Sequence, residues 1–306
     1  MGSPVADPAA AGPDGARGLR GGTMTDQQIN GVPVTSGTLE AAMNDDGASL
    51  GDLPLARDLG LPHAGADGRH ADEPSPFHDG DLVGVLGAVC VATRMRPDAG
   101  EAGRSAIGKA VADGADGPVE VTRTGLVGDA HGDRVRHGGE SKALYVMDAA
   151  EQAHWSRVLG GIEPGRLGEN ILIVPGALGG IDDVELGAIL SLGDPAAGGV
   201  RVRVTGVRNP CPTFARGVGR ADWVEVFSAR ARVGVYLSVL SEGAVRTGDE
   251  VRVVSSPGHR VTCTRWFAHH DPRDAQALLS SEIFGNCVIA PYTKKYVRAA
   301  AHEQVG

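Results

Sequence analysis

The chain shows little of what marks an exported, membrane-bound or metal-cluster protein. No basic segment followed by an apolar stretch opens the sequence, which argues against a secretory signal. The longest apolar run, Leu82 to Ala92, is too short to span a bilayer and is broken by Gly84 and Gly87, so no membrane partner is expected. Cysteine is sparse. Cys90, Cys211, Cys263 and Cys287 are scattered and form no C-x-x-C pair, which excludes a zinc finger or ribbon, and they are too few for a disulfide scaffold. Basic residues are in deficit, 29 Lys+Arg against 38 Asp+Glu, which argues against a nucleic-acid partner. Lysine occurs only as Lys109, Lys142, Lys294 and Lys295, and aromatics make up only 4% of the chain. Together these absences predict a cytoplasmic protein.

What is present is unevenly spread. The 306 residues are enough for one large domain or two small ones with a substantial core. Glycine, at 46 residues, is about twice its ordinary share. Residues 1–80 hold twelve acids against four Arg and no Lys, so most of the net charge of −9 sits in the first quarter. That stretch is dominated by Ala, Gly, Asp and Pro and shows no sustained period, so residues 1–80 read as a disordered acidic extension. Met24 and Met43 are alternative starts within it.

Order is expected to begin at the strand Leu82–Val91. Val119 to Thr124, Lys142 to Met147 and Ala188 to Leu192 read as further strands, and Val200-Arg-Val-Arg-Val-Thr alternates as a half-buried strand should. Val233 to Leu240 and Glu250 to Val254 complete the set, with Gly-Asp turns between several of them. Asp148-Ala-Ala-Glu151 resembles a capping box opening a helix to about Leu159. Many short strands at this spacing predict a mainly β fold, a barrel or sandwich with a few helices, and not a doubly wound sheet. Residues 81–258 form this expected domain. Residues 259–306 turn helical, over Arg273 to Ser281 and Tyr292 to Glu303, and read as a small C-terminal helical extension.

Three stretches carry chemistry. Cys211 lies in Val207-Arg-Asn-Pro-Cys-Pro-Thr213, straight after the alternating strand. The flanking prolines stiffen the backbone and remove two amide donors, and Arg208 favours the thiolate, the form that attacks electrophiles or binds a soft metal. The ordinary alternative is a small buried thiol beside a turn. The second stretch runs from Gly125 to Lys142. Its glycines, among them Gly138 and Gly139, suit a loop wrapped around an anion, with Arg134, Arg136, His137 and Lys142 supplying positive charge. Neither a P-loop nor a dinucleotide fingerprint is present, and a polar surface turn remains the alternative. The third stretch is Gly165-Arg-Leu-Gly-Glu-Asn-Ile171, where Glu169 and Asn170 either bond a ligand, or orient His137, or merely cap a turn.

Taken in order, G-D-x-x-x-D-R-x-R-H-G-G-x-x-K-A-L, then L-G-E-N-I, then R-N-P-C-P, the three stretches resemble the MOSC domain family, relatives of the C-terminal domain of molybdenum cofactor sulfurase. Arg232 to Leu240 and Gly243 to Val251 are similar to the closing segment of that family, and the helical tail resembles the extension of its bacterial YiiM-like branch. The resemblance covers roughly residues 82–300. It departs from the family where Glu140-Ser141 replaces the more usual Pro-acid pair, and in the spacing of Asp129 to Asp133.

The resemblance implies a MOSC-type β-barrel holding a molybdenum–pterin cofactor, with Cys211 as metal ligand. Arg134, Arg136, Gly138, Gly139, Lys142, Glu169, Asn170 and Arg208 would be cofactor- or anion-binding residues, and His137 a catalytic proton donor. It further implies reduction of N-hydroxylated small molecules, N–OH to N–H, with electrons from a separate reductase or ferredoxin-type protein. No ferredoxin-type cysteine spacing occurs, so no iron–sulfur cluster is expected, and residues 1–80 contain no lysine for a pyridoxal phosphate Schiff base. Two alternatives stay open: a non-redox module carrying the cofactor or sulfur, and a metal-independent transferase or lyase with Cys211 as nucleophile.

Overall fold

The computed structural model describes residues 73–100, 102–112, 117–130 and 139–302. Seven strands form its centre: β1 (Leu82–Val91), β2 (Leu144–Asp148), β3 (Ile171–Pro175), β4 (Ile189–Leu192), β5 (Val200–Val207), β6 (Val235–Ser241) and β7 (Glu250–Ser255). They hydrogen-bond in the ring order β7-β4-β5-β6-β2-β3-β1, and β1 pairs with β7 to close it. Every pairing in the ring is antiparallel except β2 with β3, which run parallel. A parallel pair needs a long crossover, supplied by helix α1 (Ala149–Val158). The expected mainly β barrel is the observed fold.

The pattern of each strand follows its surroundings. In β5, Val200, Val202 and Val204 are buried while Arg201 is exposed, so the alternation seen in the sequence sorts inside from outside. β2 is buried at every residue, because it lies between β6 and β3 and beneath α1. α2 (Pro212–Val218) and α3 (Trp223–Ala229) follow β5. Pro212 opens α2, where a missing N–H costs nothing, and Gly219 ends it in the left-handed conformation. Phe214, Trp223, Phe227 and Trp155 pack ring on ring at centroid distances of 4.9 to 5.6 Å, fastening α2 and α3 to α1. A chain with few aromatics has concentrated them here.

Two expectations need correction. Asp148 stands at the N-cap of α1, but its side chain makes no capping bond there. It accepts from Ile181 N at 2.9 Å and faces Arg232, because a buried guanidinium competes for the carboxylate more strongly than the helix amides do. The acidic extension was expected to run to residue 80. Residues 1–72 lie outside the described residues, but within 73–80 Ser75 and Phe77 are buried against the domain. Phe77 is buried, Ser75 Oγ donates to Asp183 O at 2.9 Å, and Arg260 Nη2 donates to Ser75 O at 2.8 Å. One apolar anchor and two paired polar atoms hold this segment, and neither leaves a periodic signature. Beyond the barrel lie α4 (Cys263–His269), α5 (Pro272–Ile283) and α6 (Pro291–His302). Among the described residues no helix is long and apolar enough to cross a membrane.

Candidate functional site

The three sequence stretches meet where β5 ends. β5 hands the chain to Arg208, whose guanidinium is buried between two rings, 3.7 Å from the Phe214 centroid and 4.4 Å from that of Tyr145. Its Nη1 donates to Leu167 O at 2.9 Å, which ties the Cys211 stretch to the Gly165–Ile171 stretch. Burial opposes its charge, but Tyr145, Tyr236 and Cys211 around it outweigh that penalty and hold its pKa above the ordinary value. Cys211 itself is partly exposed, at the position that precedes the first turn of α2. The helix it heads is held from outside by Arg216, which pairs with Asp98 at 2.8 Å.

Lys142 arrives from the glycine-rich loop. Gly139 takes φ 86°, a conformation open to glycine, and its carbonyl accepts from Lys142 N at 3.0 Å, closing a short turn over Glu140–Lys142. The Lys142 ammonium then lies 5.4 Å from the Tyr236 ring centroid and 4.5 Å from that of Tyr292. Tyr145 and Tyr236 face each other across paired strands at 5.6 Å. Three of the four tyrosines of the chain therefore surround the site. Burial raises the pKa of all three, so they stay neutral hydroxyls.

The third stretch divides into two roles. Asn170 is structural: its Oδ1 accepts from Tyr145 N at 3.1 Å, and its Nδ2 donates to Asp129 Oδ2 at 2.8 Å and reaches Cys90 O at 3.3 Å. Its amide is engaged on both sides within the protein, joining β1, β2 and Asp129. Asp129 in turn takes the buried Lys109 ammonium at 2.5 Å and Ala92 N at 2.7 Å. Burial lowers the Lys109 pKa, and Asp129 only partly offsets it. Glu169 is different. It is fully buried, its Oε1 accepts from Gly165 N at 2.6 Å, and its Oε2 has no hydrogen-bond partner in the protein. Burial pushes its pKa up to about 7, against the pull of backbone amides and Arg208.

Arg134, Arg136, His137 and Gly138 lie outside the described residues. Cys211, Arg208, Lys142, Gly139 and Glu169 are brought into one neighbourhood with Tyr145 and Tyr236. The reading of single stretches missed Tyr145, Tyr236 and Tyr292. Alternation in β2 and β6 puts the first two on one face, but nothing local announces Tyr292. Two further buried polar atoms near Cys211 lack protein partners, Arg208 Nε and Asn209 Oδ1. Buried polar atoms are nearly always paired, so orphans at one spot suit a polar ligand.

The sequence model of the MOSC domain matches residues 133–252, a range holding Lys142, Glu169, Arg208 and Cys211. YflK of Bacillus subtilis (strain 168), described as uncharacterized, is 28% identical over 165 residues, covering 52% of this chain and 70% of YflK. The crystal structure of YiiM from Escherichia coli superimposes with a TM-score of 0.51 at 18% identity, over 72% of this chain and 95% of that one. A second structure, titled as a hypothetical protein, gives 0.53 at 20% identity, over 74% and 93%. At these identities the two structures speak for the fold alone.

Proposed function

Because the chain carries a MOSC domain, we propose that it is a molybdenum-cofactor-binding oxidoreductase, reducing N-hydroxylated small molecules with Cys211 as its ligand to the metal. The observation that supports this most is the meeting of Cys211, Arg208 and Lys142 around Tyr236, beside the unpartnered Arg208 Nε and Asn209 Oδ1. Among the described residues no three His, Cys, Asp or Glu side chains gather as a metal site. A pterin-bound molybdenum would bring most of its ligands with it, so that Cys211 would have to supply only one. When bound, that group supplies a two-electron centre, which matches the two electrons consumed when N–OH becomes N–H with release of water.

The residues of the chain do the rest. Cys211 is the soft ligand, and the short rigid link from β5 fixes where its sulfur stands. Arg208, clamped between Phe214 and Tyr145, keeps a positive charge beside Cys211. Lys142 adds a second cation for a phosphate or carboxylate. The reduction also consumes two protons. Glu169 holds one at Oε2 near neutral pH, because burial has moved its ionisation there; His137 is the second donor in this scheme. Electrons come from a separate reductase or ferredoxin-type protein.

Elemental analysis of wild type and Cys211→Ser, both made in a host that synthesises the cofactor, is the test. Near-stoichiometric molybdenum in wild type, lost in the variant, is expected, together with turnover of a hydroxylamine and amidoxime panel. A folded wild type without molybdenum would sink the reading and direct attention to thiol chemistry at Cys211. Molybdenum without turnover would make the protein a carrier of the cofactor.

A further inference from the structure

The MOSC match ends at residue 252, yet a residue 40 positions later stands in the site. Tyr292, in the first turn of α6, places its ring centroid 4.5 Å from the Lys142 ammonium, which also lies 5.4 Å from the Tyr236 centroid. Its placement is tightly determined. Tyr292 Oη donates to Thr205 Oγ1 at 3.3 Å, and Thr293 Oγ1 donates to Thr205 O at 2.8 Å. Thr205 Oγ1 also lies 2.6 Å from Ser141 O and 2.9 Å from Tyr236 O. One threonine on β5 thus joins α6, the backbone just before Lys142, and the strand that carries the other ring. Gly206 completes the seat, since a Cβ there would collide with Tyr292 and Thr293.

We propose that Tyr292 is a positioning residue: with Tyr236 it forms an aromatic cage that aims the Lys142 ammonium at an anionic group, a phosphate or carboxylate borne by the cofactor or by the substrate. The proposal rests on reading Lys142 as an anion-binding residue of this site. A lysine has a long flexible stem and a strongly hydrated head, so its charge is poorly placed unless something restricts it. Two rings beside the ammonium add such a restraint by attraction to the cation. On this view the C-terminal helices belong to the site, and α6 supplies one of its walls.

The test needs no cofactor. The chain has four lysines, so reductive 13C-methylation gives few resonances, and Lys142→Arg assigns the one of interest. In wild type the Lys142 signal is expected to be displaced by the two rings and to move when inorganic phosphate is titrated in. Tyr292→Leu is expected to abolish much of that displacement and to weaken phosphate binding roughly 3- to 30-fold, the range of a cation–π contact. Tyr292→Phe, which keeps the ring, is expected to stay within about 2-fold of wild type by the same reasoning. In loaded enzyme, a raised KM with kcat and molybdenum content kept assigns the anion to the substrate, whereas a fall in molybdenum content assigns it to the cofactor. The proposal is overturned if phosphate does not touch Lys142 in wild type, if Tyr292→Leu leaves its signal and affinity unchanged, or if Tyr292→Phe is as damaging as Tyr292→Leu. A protein that holds no molybdenum but passes the phosphate test keeps the cage and loses only the cofactor reading.

Discussion

At Glu169 the ionisation and the fold are linked. Its carboxyl is raised by burial to about 7 in the folded chain, against about 4.3 in an unfolded one. Between those values the folded state binds the proton that the unfolded state has released, so this group contributes less to stability as pH rises through the window. By pH 8 the accumulated cost is about 3 kcal/mol relative to pH 4. Glu169→Gln keeps an oxygen for Gly165 N and removes the ionisation. Urea unfolding at pH 5 and pH 8 should therefore show the variant gaining on wild type at the higher pH; parallel behaviour of the two would refute the assignment. Asp129 gives a contrasting case. Asp129→Asn leaves the Lys109 ammonium buried without its countercharge, and breaking such a pair costs about 3–5 kcal/mol. Equilibrium unfolding of that variant checks it, and the loss should shrink at alkaline pH because Lys109 already loses its proton more readily than a free lysine.

Among the elements, β5 has the heaviest duties. It alternates into the barrel, ends at Arg208 and Cys211, and seats α6 over Gly206. Gly206→Ala puts a methyl where Tyr292 and Thr293 now sit, so α6 must shift; overpacking of this kind costs about 1–3 kcal/mol. Thermal melts read the cost, and faster proteolytic clipping after residue 260 would show that α6 is the part released. Elements of this type were legible in the sequence where the pattern is local. The alternation of Val200 to Thr205 gave β5, and the apolar periodicity near Arg273 and Tyr292 gave α5 and α6. The short helices α2, α3 and α4 were not, since seven residues hold too few turns for a period, and Pro212 looks like a breaker although it opens α2. Of the site, Cys211, Arg208 and Lys142 stand in recognisable local contexts. Tyr292 does not, because its partners Thr205 and Lys142 lie far away in the sequence and only barrel closure brings them near.

On the scale of the molecule, the feature with the widest reach is the buried charge cluster about Arg232. This guanidinium bonds Asp183 through both Nη atoms at 2.8 Å and reaches Asp148 at 3.4 Å and Glu151 at 3.5 Å, while Arg230 also pairs with Glu151. It thereby joins the end of β2, α1, the 181–183 turn and the approach to β6. Burial opposes its charge, but the carboxylates around it prevail and raise its pKa, whereas Asp148 and Asp182 are driven up by the same burial. Arg232→Met strands those acids and should cost about 3–5 kcal/mol. In guanidinium unfolding the midpoint should fall with the slope unchanged; a changed slope would indicate a loosened native barrel instead.

Closure of the ring by β1 against β7 has a consequence for the order of events in the cell. Val85 finds its partner at Glu250, and no shorter excursion of the chain can complete the barrel. A growing polypeptide on the ribosome therefore carries β1 as an unsatisfied strand edge until β7 has been made and has cleared the exit tunnel. Long-range pairing of this kind is slow to form. During synthesis β1, with its run of buried Val and Leu, is the segment that a chaperone has most reason to shield.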